Sequence, residues 1–288
     1  MNKGDTGFII ICSSLVFLMT PGLAFFYGGF SRRKNIINTM MMVIFSLGLS
    51  SILWIILSYS LSFSGGNVVH ISSGITGLVL AIVLGAGLLW FGWFGFNSGS
   101  ALGANKLAIH ALLVTHSAAA IAMLSWMLIE KTMIGKPTIV GASTGAIVGL
   151  VAITPGAGFV PLWSALIIGF LVSPVCYISI GIIKRKLEID DALDAFGCHG
   201  VGGIATGIFA EKSIGGVNGL LYGGLNLFIA QLISILITLL FAGLVSFIII
   251  KIINVFMPIR VSERDEIQGL DVTEHDETAY PTFFGMDN

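Results

Sequence analysis

The feature that most constrains this chain is a succession of stretches without a single Asp, Glu, Lys or Arg: 7–29, 36–63, 67–102, 107–129, 138–154, 160–183, 195–210 and 215–250. Crossing a hydrocarbon core about 30 Å thick takes about 20 consecutive apolar residues. Inside the bilayer every backbone N–H and C=O must bond within the protein, so such stretches read as helices. Only 10% of the residues are charged and 56% are apolar, whereas a soluble domain carries about 25% charged residues. The solvent to reason in is therefore lipid, with the bilayer itself as a partner. A net charge of −1 and no basic run longer than Arg32-Arg33-Lys34 or Lys184-Arg185-Lys186 exclude a nucleic-acid-binding face. Cys12, Cys176 and Cys198 all fall in apolar stretches, so they fit neither a disulfide framework nor a zinc site. The stretch 7–29 is too long for a signal-peptide core, lacks an Ala-x-Ala cleavage site and is followed by its basic cluster. It is expected to remain as a span.

The stretch 67–102 would be about 54 Å long as one helix, at about 1.5 Å per residue, and is expected to cross twice with a turn near Gly85-Ala86-Gly87. Basic residues collect in short cytoplasmic loops, and this reading segregates them sharply. Arg32, Arg33, Lys34, Lys131, Lys136, Lys184, Arg185, Lys186, Lys251, Arg260 and Arg264 fall on one side, and Lys3, Lys106 and Lys212 on the other. The expectation is about nine transmembrane helices, the N-terminus outside and the C-terminus cytoplasmic. The stretch 215–250 reads as a single long, tilted last helix. Residues 1–258 thus form the membrane domain and 259–288 a polar cytoplasmic tail. Seven carboxylates lie between Glu263 and Glu277, and the tail is expected to be partly disordered or folded on the bundle's inner face.

Two segments echo one another: His70-Ile71-Ser72-Ser73-Gly74 and His199-Gly200-Val201-Gly202-Gly203 each set a glycine four positions after a histidine. In the topology above they lie on antiparallel spans, as an inverted repeat produces. Ionisable groups inside spans usually face the bundle interior or a pathway. Two neutral imidazoles in contact can pass a proton, because each ring has one donor and one acceptor nitrogen. The plainer alternative is two separate histidines bonded to backbone carbonyls; the echo favours the pair. His110 and His116, six apart, point to different faces and read as packing or interfacial residues, and His275 lies in the tail. Five aromatics crowd Leu89-Trp90-Phe91-Gly92-Trp93-Phe94-Gly95-Phe96. They fit an interfacial aromatic belt, or a vestibule whose ring faces attract a cation by about 0.5–2 kcal/mol, with Ser100 adding an oxygen. Asp190 and Asp191 read as helix-capping carboxylates, and Asp194 as a support for the pore backbone.

Three runs carry a resemblance: Met19-Thr20-Pro21-Gly22-Leu23-Ala24-Phe25-Phe26-Tyr27-Gly28-Gly29, Gly92-Trp93-Phe94-Gly95-Phe96-Asn97 and Asp190-Asp191-Ala192-Leu193-Asp194-Ala195-Phe196-Gly197-Cys198-His199-Gly200-Val201-Gly202-Gly203. They resemble ammonium transporters of the Amt type, and Arg260-Val261-Ser262 and Gly269-Leu270-Asp271 in the tail fit as well. The resemblance implies an all-α polytopic bundle built as an inverted repeat, with no cofactor and no enzymatic activity. It makes His70 and His199 the twin histidines of an ammonia pore and proton relay. It makes Trp93 and Ser100 part of an outer recruitment site and Phe96 a gate phenylalanine. It further implies a homotrimer, and a tail around Arg260, Gly269, Leu270 and Asp271 that meets a PII-type nitrogen regulatory protein. The family has eleven helices. Here Phe63 passes almost directly to His70, where its third and fourth helices would lie, and Leu84-Gly85-Ala86-Gly87 joins the fifth and sixth without a loop. Ammonium transport is the expected function, and the alternative is a non-conducting relative that signals nitrogen status through its tail.

Overall fold

A computed structural model describes residues 2–53, 79–186, 198 and 206–279. Among them the elements are α1 (Lys3–Gly28), α2 (Ile36–Leu53), α3 (Val79–Gly99), α4 (Lys106–Ile134), α5 (Ile139–Ile153), α6 (Leu162–Arg185), the short α7 (Thr206–Phe209) and α8 (Lys212–Gly215), α9 (Leu225–Phe256), α10 (Glu263–Gln268) and α11 (Leu270–His275). All the elements formed by the described residues are helical. α1, α4, α5 with its following turn, α6 and α9 are each long and apolar enough to cross a membrane. Side chains open the helices where the apolar runs begin. Asn2 accepts from the Asp5 N–H at 2.8 Å, Asn105 from Ala108 at 3.0 Å and Thr138 from Gly141 at 2.9 Å, each satisfying an amide that the first turn leaves free.

Two packing units form the bundle: α1 lies along α3, and α4 lies along both α5 and α6. Lipid offers apolar side chains no advantage in packing on each other, so helices associate where small residues let backbones approach. On α5 this face is Gly141, Gly145 and Gly149. A Cβ on Gly145 would stand 2.6 Å from Trp126 Cβ, and one on Gly149 2.6 Å from Ala122 Cβ. The expected reversal at Gly85-Ala86-Gly87 is not found. Gly85 lies within α3, and its missing side chain makes room for the Phe26 backbone of α1. The glycine there serves close approach, not a turn.

α6 holds Pro174 in its interior. Proline has no N–H for the carbonyl four residues back, and that carbonyl, Phe170 O, instead accepts from Ser125 Oγ of α4 at 2.8 Å. Ser173 Oγ returns a bond to Ala122 O at 2.7 Å, so the α4–α6 seam is closed by two hydroxyls.

The long last helix starts later than expected. Residues 216–224 break into a turn with Gly216 and Gly223 at φ +83° and +80°, and α9 then runs 32 residues without interruption. At about 1.5 Å per residue it exceeds the hydrocarbon thickness and must tilt. Beyond Phe256 the chain returns to the bundle: α11 packs on α2.

The loops sort to two ends. Phe30, Glu130, Val140 and Lys184 line one cavity, so the α1–α2 and α4–α5 connections and the end of α6 share one end. Lys34 bonds the tail there. At the other end Asp5 accepts from the Ala104 N–H at 3.2 Å, next to Lys106. The basic residues of the described loops are accordingly segregated by end.

Candidate functional site

α3 carries the aromatic run to the end of the bundle where the α3–α4 and α5–α6 connections meet. Trp93 is 4% exposed, and its indole N–H donates to Thr154 Oγ1 at 2.7 Å. Thr154, at the end of α5, in turn donates to Leu150 O at 2.7 Å. The Phe96 ring stands edge-on to Trp93, with centroids 6.1 Å apart. One turn further, exposed Ser100 donates its hydroxyl to Phe96 O at 2.8 Å; the oxygen keeps lone pairs for an outside donor. Trp93, Phe96 and Ser100 therefore sit together at one end of α3, from a fixed indole to an open hydroxyl. Buried beside them, Asn97 Nδ2 donates to Thr115 Oγ1 at 2.8 Å. That pair and Thr154 were not among the sequence candidates. An amide and two hydroxyls in uncharged stretches were the only signal they gave.

The remaining aromatics of the run divide by face. Trp90 and Phe94 flank His116 of α4, with ring centroids 5.4 Å and 5.8 Å away. Phe91 is 53% exposed. His116 is itself exposed, near the middle of α4. His110 differs: its Nε2 pairs with Val160 O at 2.9 Å and ties α4 to the α5–α6 connection. His70, His199, Asp190, Asp191 and Asp194 lie outside the described residues.

At the same end as the aromatic site, Glu211 accepts from Ser213 Oγ and from the Tyr222 hydroxyl at 3.1 Å. Desolvation, followed by the neighbouring Glu211 carboxylate, raises the Tyr222 phenol above its ordinary value.

At the opposite end the tail residues are held by the start of α2. Asp271 is 1% exposed, and its Oδ1 accepts from the Asn38 N–H at 2.8 Å in the first turn of α2, where a helix dipole favours negative charge. Leu270 donates its N–H to Asn35 Oδ1 at 2.9 Å, and His275 Nε2 pairs with Asn38 Oδ1 at 3.0 Å. Lys34 donates to Glu266 O at 2.7 Å and also to Ile267 O. Gly269, at φ +112°, makes the turn against Lys34 in a backbone region that favours glycine. Within the tail, Arg260 Nε pairs with Glu266 Oε1 at 3.0 Å. Asn35, Asn38 and Lys34 were missed as tail partners because nothing local in sequence links them to residues more than two hundred positions away. Glu130 was missed too: it is 7% exposed and accepts from the Thr138 N–H at 2.6 Å, closing the α4–α5 turn.

Among the described residues no group of three or more His, Cys, Asp or Glu side chains is placed to hold a metal ion. The described features define a polytopic α-helical membrane protein: close-packed apolar spans, an aromatic and hydroxyl cluster at one end, and a polar tail folded on the other.

The profile of the Ammonium Transporter Family matches residues 7–65 and 79–280, and the chain belongs to that family. The ammonium transporter of Bacillus subtilis (strain 168) is 36% identical over 400 aligned positions, covering 97% of this chain and 99% of the relative. Ammonium transporter Amt1 of Archaeoglobus fulgidus is 34% identical, covering 97% of this chain and all of the relative. Among solved structures, Mep2 of Saccharomyces cerevisiae superposes with a TM-score of 0.83 at 24% identity, over 92% of this chain and 88% of that one. A structure described as a sensor Amt protein gives 0.83 at 22% identity, over 94% and 98%. These likenesses show the fold. Against 400 aligned positions this chain has 288 residues, so at least 112 positions of the Bacillus relative (400 less 288) face gaps. The profile match breaks at 65 and resumes at 79, the first residue of α3. Gly85, where the sequence suggested a second junction, is inside the matched helix.

Proposed function

We propose that this chain moves ammonium across the membrane by binding the cation at the mouth formed by Trp93, Phe96 and Ser100, removing its proton, and passing neutral ammonia along a lumen that holds His70 and His199. A bare cation at the bilayer centre is strongly disfavoured, so the proton and the ammonia must part before the hydrocarbon is crossed. The paired histidines relay the proton through the donor and acceptor nitrogens of adjacent neutral rings. The observation that carries this reading is the Trp93–Thr154 bond of 2.7 Å. It fixes the indole beside Phe96, so that aromatic faces stand ready at the mouth without a cost of ordering them on binding.

Asp191 and Asp194 are assigned to the support of the lumen backbone. The mouth faces outward and the docked tail faces the cytoplasm, in keeping with the basic residues gathered at the tail end. Three copies assemble, one pore each. Support for assembly comes from His116, exposed near the middle of a span where lipid is a poor partner for an imidazole. Residues 259–288 act as the regulatory unit, and a PII-type protein reads whether the segment around Gly269, Leu270 and Asp271 is docked on α2. A second reading, a non-conducting relative that signals through this tail, is favoured by the 112 or more unmatched positions.

Ammonium-driven uptake in proteoliposomes separates the two, comparing the chain with its His70→Ala and His199→Ala variants. Saturable uptake altered by either substitution is expected. No uptake by correctly inserted protein refutes conduction and leaves the signalling reading.

A further inference from the structure

At the mouth end of the bundle the connections converge on one carboxylate. Glu211 donates its backbone N–H to Phe159 O of the α5–α6 connection at 2.8 Å. Its side chain is half-buried. One carboxylate oxygen accepts from Ser213 Oγ and the other from the Tyr222 hydroxyl at 3.1 Å. Each oxygen has two lone pairs, so each keeps one free. No lysine or arginine pairs with this carboxylate among the described residues, although a partly desolvated charge without a counter-charge is costly. Aromatic rings surround it. Trp163, in the first turn of α6 and 46% exposed, lies beside the Tyr222 phenol. The Phe209 ring meets Trp163 edge-on, with centroids 6.0 Å apart.

We propose that Glu211, Tyr222 and Trp163 form a second cation site, separate from Trp93, Phe96 and Ser100, which takes ammonium or a small primary ammonium ion and feeds the mouth. The choice of ion rests on reading the chain as an ammonium transporter. The free carboxylate lone pairs accept N–H donors in charge-assisted bonds, and the open Trp163 face adds attraction for the cation. A divalent metal fits poorly: calcium takes about six to eight oxygen ligands, and here one carboxylate and two hydroxyls converge. No histidine or cysteine joins them in a metal-holding group among the described residues. Phe159 lies five residues from Thr154, the partner of Trp93, so the two backbone anchors are at most about 17 Å apart. That is inside the Debye length of about 30 Å at 0.01 M ionic strength, so a cation held at Glu211 stands within electrostatic reach of the mouth.

The test uses the full chain in detergent with its five tryptophans replaced by 5-fluorotryptophan, each fluorine resonance assigned by a single Trp→Phe variant. Methylammonium chloride is titrated against sodium chloride at constant ionic strength. A saturable shift of the Trp163 resonance is expected with methylammonium and not with sodium. Glu211→Gln keeps the side-chain length and the backbone bond to Phe159, and should weaken the Trp163 response on the order of 5-fold while the Trp93 response stays. Tyr222→Phe keeps the ring, loses the hydroxyl and should weaken it about threefold. An equal response to sodium, or an unchanged Trp163 response in Glu211→Gln, overturns the proposal. A response at Trp93 with none at Trp163 overturns it too and leaves the mouth standing. A response at Trp163 with none at Trp93 supports the site and counts against the mouth, so the two readings fail separately. In proteoliposomes at about 0.01 M ionic strength, Glu211→Gln should raise the KM for methylammonium about threefold with little change in maximal rate, and the difference should fade at high salt. A KM indifferent to the substitution at low salt overturns the feeding of the mouth.

Discussion

The indole N–H of Trp93 donates to Thr154 Oγ1 while the same hydroxyl donates to Leu150 O, so an exposed-end aromatic is anchored to the backbone of α5. Trp93→Phe keeps most of the ring area but leaves that half-buried hydroxyl without its donor, at a cost of about 1 kcal/mol in stability. Tryptophan also offers a cation the strongest ring face. The KM for methylammonium uptake should therefore rise about three- to tenfold with a smaller change in maximal rate; an unaltered KM removes Trp93 from the mouth. In the tail, Asp271 is buried and bonds an amide in the first turn of α2. Asp271→Asn keeps an oxygen acceptor and loses the charge, which at a helix N-terminus is worth about 1 kcal/mol. Amide hydrogen exchange over 263–275 should speed up about fivefold at constant pH, with exchange in α4 and α5 unaffected. The aromatic run and the tail motif were legible as residues because their chemistry is dense in sequence. Asn97, Thr115 and Thr154 were not, since a neutral polar residue gains meaning only from the partner that folding supplies.

Among the elements, the α4–α6 seam converts a helix defect into a contact. Ser125→Ala removes the one donor that answers the carbonyl freed by Pro174. Interhelical hydrogen bonds in membranes average about 0.6 kcal/mol with a maximum near 1.7, and the carbonyl's lack of an intrahelical donor places the expected loss toward the upper end. Pro174→Ala restores an intrahelical donor for Phe170 O, so the same Ser125→Ala change made on that background should cost less. A double-mutant cycle of unfolding free energies in detergent measures the difference; equal costs on both backgrounds would separate serine from proline. The proline itself was plain in the sequence, but its partner was not, because the pairing joins residues 45 apart. Glycines misled in the opposite direction. Gly85-Ala86-Gly87 reads as a turn when the surrounding stretch is too long for one span, yet the same absence of a Cβ serves close helix approach. Local sequence does not distinguish the two uses. The neighbouring backbone of Phe26 does.

For the whole molecule, the partition of basic residues was the strongest long-range signal in the sequence, because it reports a physical field and not a contact. The structure gathers Lys34, Lys184, Arg185 and the tail at one end and Lys106 and Lys212 toward the other, which is the segregation the charges imply. The excess of basic residues at the tail end assigns that end to the cytoplasm, and the proposed mechanism depends on it: a mouth that faces inward would recruit ammonium for export. Lys131 and Lys212 are exposed residues at the two ends, while Cys12, Cys176 and Cys198 are buried, so a thiol introduced at either lysine stands out against a low background. In vesicles of cytoplasm-inside orientation, a membrane-impermeant maleimide should label Lys212→Cys at least tenfold faster than Lys131→Cys, and permeabilisation should abolish the difference. The reverse order would keep the helices, the mouth and the tail dock as they are but turn the direction of recruitment around, and with it the argument that the tail is reached by a cytoplasmic regulator.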